Sequence, residues 1–561
     1  MSQEQPTAPA PVPVGDPHAV PSTETPPPQL VDPAAPAGSS AGRGVLLIAF
    51  AKFYFMMIGL IIQVKLPSIL SRTTFGAFGV VNAFISPINN VMVTGSIQSV
   101  SRFISQEPEK ARRVQAAGFR MHLFIGVGVA LAFAAAAPVV AAFQHDQSKT
   151  LPLMVGALIV AGYSFYAVLV GTANGLRQFN KQAGLDIVFA TLRAAGILGA
   201  ALAGLGVVGV VAGWVAAVGV ILLLAVMWIG MPGRTAEAPM SIRPLSGYFA
   251  QVAVYLVLFN LLMFADTWLL KRLTTEHFAP LLTAHGDALD RAVPGLRGLA
   301  GYSPTASALA DGQVAYYTAV QNLARLSYQA IIAATFVVFP LVSRSTFTDD
   351  GEITKRYITV TMRYSLMFSM AIAVVMAANP KDILGLVYAA DYASFGAPAL
   401  LALALGNVAF SLFAISGTIL NGAGLTRPAI VSAAITLVLA VVGNFIAIPM
   451  AASGAGVLFV AAAVTGAAML AGSVISGIIL KRRLGAFLPL LSIVRIVAAM
   501  AVAMAVGRLL PLHGKLLTLV EAGIVGIVFL AVLIGSGELG KRDLAAIAQV
   551  RKKRATGGGE V

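Results

Sequence analysis

The feature that most limits what this chain can become is an apolar run near twenty residues long, repeated about fourteen times. A bilayer core is ~30 Å thick and a helix rises ~1.5 Å per residue, so each run can cross it. In hydrocarbon the backbone must satisfy its own polar groups, which a single segment does only as a helix. The runs place spans at roughly 44–70, 75–105, 115–143, 150–175, 183–206, 208–231, 245–271, 313–343, 356–379, 393–422, 428–449, 453–480, 487–508 and 516–536. Composition agrees, at 58% hydrophobic and 11% charged residues, against ~25% charged in soluble domains. The expected fold is an all-α polytopic membrane protein.

The flanks differ. Residues 1–42 hold 11 of the 29 prolines and show no apolar period, which predicts a disordered tail over 1–43. Neither a basic start nor a short apolar run opens the chain, so a cleaved secretory leader is not expected. The end, "VRKKRATGGGE", reads as a basic tail resting on anionic headgroups. With no cysteine, disulfide and thiol chemistry drop out. Trp214, Trp228 and Trp268 each fall near a predicted span end, where indole favours the interface.

Orientation follows from the 38 Lys and Arg. With both termini cytoplasmic, 21 fall on the inner side, nine outside and eight within spans. Four of those nine lie in the long outer segment beginning at 271–272 and ending at 312, where charge counts for less. The net charge of +15 is mostly this asymmetry, so no nucleic-acid partner is implied.

The eight basic residues inside spans are Lys52, Lys65, Arg102, Arg120, Arg193, Arg325, Arg363 and Arg495, accompanied by Asp186, Asp266 and Glu521. An ionisable group at the bilayer centre costs roughly 2.5–3.5 kcal/mol by insertion scales, so it persists where it meets a cavity, a partner or the interface. Lys65, Arg102 and Arg120 are near enough to a span end to snorkel; Arg363, Arg495 and Glu521 read as structural on the same ground. Arg193 and Arg325 are too deep for that. Gln313, Tyr317, Gln321, Arg325 and Tyr328 recur at steps of three and four, giving that helix one polar face. Asn82, Ser86, Asn89 and Ser96 repeat the device in the second span, Lys52, Gly59 and Gln63 in the first, and Gln251, Tyr255 and Asp266 in the seventh. Such faces either bond helix to helix or line a water-filled cavity, and the accompanying charges favour the cavity. Asp186 and Arg193, seven apart on one face, could pair through water or substrate, or neutralise each other.

"GTANG" at 171–175 returns as "GTILNG" at 417–422. Asn174 and Asn421, Gly175 and Gly422, Gly196 and Gly443, and Gly209 and Gly456 are all separated by 247 positions. A repeat containing six spans keeps its orientation in the membrane and predicts two lobes related by an axis along the membrane normal. The Asn-Gly pair reads as the left-handed C-cap of the fourth and tenth spans.

"FGAFGVVNAFISPINNVMVTGSIQSVSRFIS" (75–105), "NGLRQFNKQAGLDIVFATLRAAGILGAALAGLGVVGVV" (174–211) and "VAYYTAVQNLARLSYQAIIAATFVVFPLVSR" (314–344) resemble the second, fourth-to-fifth and eighth helices of the Wzx-type polysaccharide flippases, which belong to the multidrug/oligosaccharidyl-lipid/polysaccharide (MOP) superfamily. The resemblance covers roughly 44–485. It implies a tail at 1–43, a six-helix lobe at 44–232, a second at 233–485 that includes the outer segment 272–312, two added helices at 486–537 and a basic tail at 538–561. The tail and the outer segment are longer than the family requires.

Such proteins move undecaprenyl-diphosphate-linked oligosaccharides from the inner to the outer leaflet of the bacterial inner membrane, by alternating access through a cationic cavity. On that resemblance Arg193, Arg325 and Lys52 would bind phosphate or acidic sugar. Asn82, Asn89, Tyr317 and Gln321 would bind hydroxyls. No cofactor is expected; a proton or sodium gradient would couple through Asp266, unless that carboxylate only pairs with a cation such as Lys271. Partners would be the lipid-linked glycan, membrane lipids and the polymerase and export machinery. A lipid II flippase has a similar cavity, and an ion-coupled multidrug antiporter would want more carboxylates. An enzyme is not expected: there is no Gly-rich phosphate loop or metal-spaced cluster, and the six histidines are scattered.

Overall fold

The structure, a computed structural model, describes residues 39–233, 239–284, 305–329, 351–451, 455–510 and 514–540. Among them are fifteen α-helices and no strand. The first half holds α1 (Ser39–Ile69), α2 (Arg72–Gln106), α3 (Ala111–Phe143), α4 (Thr150–Gly175), α5 (Phe179–Leu202) and α6 (Gly206–Ile229). The second holds α7 (Arg243–Ala284), α8 (Ala306–Ala324), α9 (Gly351–Ala378), α10 (Pro380–Val387), α11 (Ala390–Gly422), α12 (Thr426–Met450) and α13 (Ala455–Leu484). The added pair is α14 (Leu490–Leu509) and α15 (Lys515–Gly535). All but α8 and α10, thirteen in number, are long and apolar enough to cross a membrane.

The predicted eighth span, 313–343, starts earlier, at Ala306. Its helix is interrupted at Arg325, and 330–350 lie outside the described residues. Within the expected outer segment 272–312, residues 272–284 and 306–312 are helix. α7 runs unbroken to Ala284 and α8 begins at Ala306, leaving only 285–304 undescribed. At ~1.5 Å per residue the 42 residues of α7 extend about 63 Å, roughly twice a bilayer core.

Packing repeats between the halves. α1 lies on α5; α2, α3 and α6 lie on α4; α5 lies on α6. In the second half α7 lies on α12; α8, α9 and α13 lie on α11; α12 lies on α13. Each contact has its counterpart six spans later. α11 and α4, the two helices at the centre of these sets, are the most buried spans, as expected for helices covered on several sides. Across the halves, among the described residues, α2 packs on both α7 and α8, whereas α1 scarcely meets α8.

The repeated turn is the same structure twice. Leu176, Arg177 and Gln178 donate their N–H groups to the carbonyls of Thr172, Asn174 and Ala173; Ala423, Gly424 and Leu425 donate to Ile419, Asn421 and Leu420. The left-handed residue is not the Asn-Gly pair, which ends the helix, but Arg177 (φ 57°) and its counterpart Gly424 (φ 76°), two positions further on. Asn174 bonds Gln182 at 3.0 Å instead of capping. The cap belongs to the position whose backbone N–H must turn back, and that falls one step beyond the helix's last residues.

The expected interfacial tryptophans divide. Trp228 is exposed, but Trp214 is buried and donates to the Tyr163 hydroxyl at 3.2 Å, and Trp268 stacks on Phe84 with ring centroids 4.8 Å apart. Helix packing draws these two inward. Lys65 is exposed, Arg102 lies 4.3 Å over the Tyr248 ring and Arg120 bonds the Met240 carbonyl. Arg363 (2.8 Å) and Arg495 (3.5 Å) share Glu538, whose carboxylate is 3% exposed, so the segment after α15 is pinned onto α9 and α14.

Candidate translocation site

Most of the predicted site residues fall into two groups, one in each half. In the second half Asp266 of α7 is 3% exposed. Its carboxylate accepts the Tyr317 hydroxyl at 2.7 Å, the Gln321 amide at 3.1 and 3.2 Å, and the Thr267 backbone N–H at 2.7 Å. Tyr317 and Gln321 lie one turn apart on α8, so their shared face delivers both donors to one carboxylate. Arg325 closes the group from the break in the helix. It donates to the Met263 carbonyl at 2.8 Å and lies 4.6 Å over the Phe264 ring.

The structure therefore brings together four of the predicted site residues: Asp266, Tyr317, Gln321 and Arg325. It also corrects three readings. Tyr317 and Gln321 spend their donors on Asp266, so the α8 face is joined to α7 and is not an open wet wall. Asp266 does not pair with Lys271, which turns to the other side of α7 and bonds Asp311 at 2.8 Å. Nor does Asp266 share a continuous polar face with Gln251 and Tyr255. Gln251 is exposed, and the Tyr255 hydroxyl points at Gly417 of α11.

In the first half Lys52 of α1 reaches Asp186 of α5 at 2.7 Å. Asp186 thus does not serve Arg193, the pairing that their shared face suggested. Arg193, past the middle of the 24-residue α5, lies 4.7 Å over Phe55 of α1 and 6.0 Å over Phe189, beside the Tyr163 hydroxyl. Its Nε has no hydrogen-bond partner. Gly59 leaves the room its guanidinium occupies: a Cβ there would stand 3.4 Å from Nη2. The side chain of Lys52 is 54% exposed, so the pair with Asp186 is open to the surroundings on its lysine side.

One bond links the faces of α1 and α8, from Asn322 to Gln63 at 3.0 Å. The α2 candidates stand apart from both groups. Asn82 accepts from Ser86 at 2.8 Å, and Asn89 keeps a buried Oδ1 without a partner. Asn90, which sequence reasoning passed over, crosses to Asn260 of α7 at 2.9 Å. Its signal was the one-residue step beyond Asn89, invisible until the α2–α7 contact is known. Among the described residues no group of three His, Cys, Asp or Glu could hold a metal ion.

Residues 66–273 match the sequence profile of a family described as polysaccharide biosynthesis protein. No curated protein matches by sequence. Among solved structures, the lipid II flippase MurJ in an inward closed conformation covers 89% of this chain and 100% of its own at TM-score 0.68 and 12% identity. An inward-facing multidrug resistance MATE family transporter of the MOP superfamily covers 79% and 98% at TM-score 0.54 and 14% identity. A MOP superfamily transporter from Pyrococcus furiosus, described by the reverse polarity of its binding pocket, covers 80% and 95% at TM-score 0.54 and 15% identity.

The chain has the MOP superfamily fold. It is a multi-pass membrane protein, and the expected resemblance holds at that level. The two polar groups do not occupy corresponding places: Lys52, Asp186 and Arg193 join α1 to α5, whereas Asp266 with Tyr317 and Gln321 joins α7, the counterpart of α1, to α8, the counterpart of α2.

Proposed function

We propose that this MOP-fold protein is a flippase that carries a lipid-linked, anionic oligosaccharide, undecaprenyl-diphosphate-linked repeat units, from the inner to the outer leaflet for polysaccharide biosynthesis. Arg193 carries the reading. It is a guanidinium past the middle of a membrane helix with no carboxylate partner among the described residues, because Asp186 is taken by Lys52. A cation kept there without a counter-ion is a standing site for a phosphate or acidic sugar. The family profile over 66–273 supports the same substrate class. Lys52, exposed on α1, would join the contact from the same half; Arg325 would complete it from the second half. Asp266 would serve the coupling proton or sodium, since it sits with neutral donors whose bonds change when α7 moves against α8.

Loss of the gene should leave undecaprenyl-linked repeat units accumulated on the inner leaflet. Normal lipid-linked glycans with altered efflux of cationic dyes would transfer the reading to an antiporter. Accumulated lipid II would transfer it to peptidoglycan precursor transport.

A further inference from the structure

At the end of the bundle away from α1's start and α15's end, which we call distal, four charges are buried together. Lys149, at the start of α4, is 3 Å or less from Asp146 and Asp311, bonding the latter at 2.8 Å. Lys271 of α7 bonds Asp311 at 2.8 Å and lies 3.6 Å from Asp146. The side chains of Lys271 and Lys149 are 0% and 3% exposed, those of Asp311 and Asp146 7% and 11%. Ser307, just inside α8, donates to Asp146 at 2.6 Å and accepts from Lys271 at 2.7 Å. Burial pushes Asp146 up, but the Lys149 charge and the hydrogen bonds from Lys149, Ser148 and Ser307 hold it well below the usual carboxylate range, so it stays charged.

The arrangement has a specific symmetry. Each half contributes one lysine and one aspartate: Asp146 and Lys149 from the α3–α4 turn, Lys271 and Asp311 from α7 and α8. Each lysine therefore has one carboxylate in its own half and one in the other. Beside the quartet the pattern recurs. Glu276 takes His145 of the first half at 2.9 Å and Arg272 of its own helix at 3.1 Å, and Arg272 covers the Phe143 ring at 4.3 Å.

Burying charges is costly unless they are paired, and separating a buried pair strands both partners. Here separation strands nothing. If the halves part, Asp146–Lys149 and Lys271–Asp311 remain as two neutral dyads, now in water, where such pairs cost little. A purely structural cluster has no need of that arrangement.

We infer that the Asp146–Lys149–Lys271–Asp311 quartet is the distal gate between the halves, cross-paired when closed and self-paired when open. The inference rests on the transporter reading, and it names the element that switches.

The test uses the absence of cysteine from the chain. Gln147→Cys and Ala279→Cys, both at exposed positions on opposite sides of the gate, carry spin labels in the full-length protein in nanodiscs, and their distance distribution is measured without substrate. Two double variants of identical composition then differ only in where the charges go. Exchange within one half, Asp146→Lys with Lys149→Asp, keeps that half's own pair but sets like charges across the gate; the long-distance population should rise by at least about tenfold. Exchange across the gate, Lys149→Asp with Asp311→Lys, keeps the cross pairs but sets like charges within each half; the long-distance population should fall below that of the unexchanged protein. Shifts of both variants in the same direction, or of neither, overturn the gate. Because no substrate is present, opposite shifts stand even if glycan analysis rejects the flippase, and a failed gate leaves the glycan result intact.

Discussion

The Tyr317 hydroxyl of α8 donates to Asp266 of α7 at 2.7 Å, with both side chains buried. That bond ties the first two described helices of the second half to each other. It also explains why a carboxylate persists there: three neutral donors, not a cation in salt-bridge contact, hold it. Replacing Tyr317 by Phe removes one donor from a buried carboxylate and should lower stability by about 1–3 kcal/mol. Thermal unfolding in detergent checks it, and an unchanged midpoint would show that water replaces the hydroxyl.

Asp266→Asn keeps the shape and the Tyr317 contact while removing the charge. Ion-driven transport in proteoliposomes should be lost while substrate binding survives. An Asn variant that still responds to the ion gradient rules Asp266 out as the coupling site.

Arg193 should grade by chemistry. Lys keeps the charge but not the planar fork that stacks on Phe55, so it should be partly active. Ala should lower polymer export by roughly tenfold or more, the effect of losing a charged hydrogen bond worth about 1.5–3 kcal/mol, and Glu should abolish it. Full complementation by Arg193→Glu at normal expression would remove the residue from the site. The same series at Arg325 should be milder for Lys, since one of its bonds goes to the Met263 carbonyl.

Gly76 of α2 faces the backbone of α8 beneath the quartet. A Cβ there would stand 1.7 Å from the Asp311 carbonyl oxygen, and a backbone atom cannot rotate away. Gly76→Ala should therefore wedge α2 from α8 and cost about 1–3 kcal/mol. Gly79→Ala, which meets the Thr318 hydroxyl at 2.7 Å, should be milder because a side chain can yield. Comparing their unfolding midpoints decides it, and equal midpoints would contradict the packing argument.

Topology rests on the basic count. A cysteine at Ala279 should react with an impermeant thiol reagent in intact cells, and one at Glu109 only after lysis. The reverse pattern would turn the protein over in the membrane.

The spans, the repeat and the two deep arginines were legible because each is written locally or at a constant offset. Asp266, Tyr317, Gln321 and Arg325 were each legible singly, by depth or by helical face. Their convergence was not, because it depends on how α7 lies against α8. The distal quartet was hidden for a related reason. Asp146 and Lys149 read as a turn, Lys271 and Asp311 as parts of a long outer segment, and 162 positions separate Lys149 from Asp311. Only the continuation of α7 as helix to Ala284, with α8 starting at Ala306, brings Lys271 and Asp311 alongside that turn. The Lys52–Asp186 pair was missed because two ionisable groups on one helix suggested each other, when the nearer partner came from α1.

The two copies of the repeated turn differ at their left-handed position. Gly424 adopts the left-handed backbone without penalty, whereas Arg177 holds the same conformation at a cost of roughly 1–2 kcal/mol. A chain that keeps arginine where glycine is easier is giving up folding stability for a positive charge at a loop, and loop charge decides which way a span is threaded during insertion. Arg177→Gly should therefore yield a sturdier molecule, of which a larger share is inserted upside down.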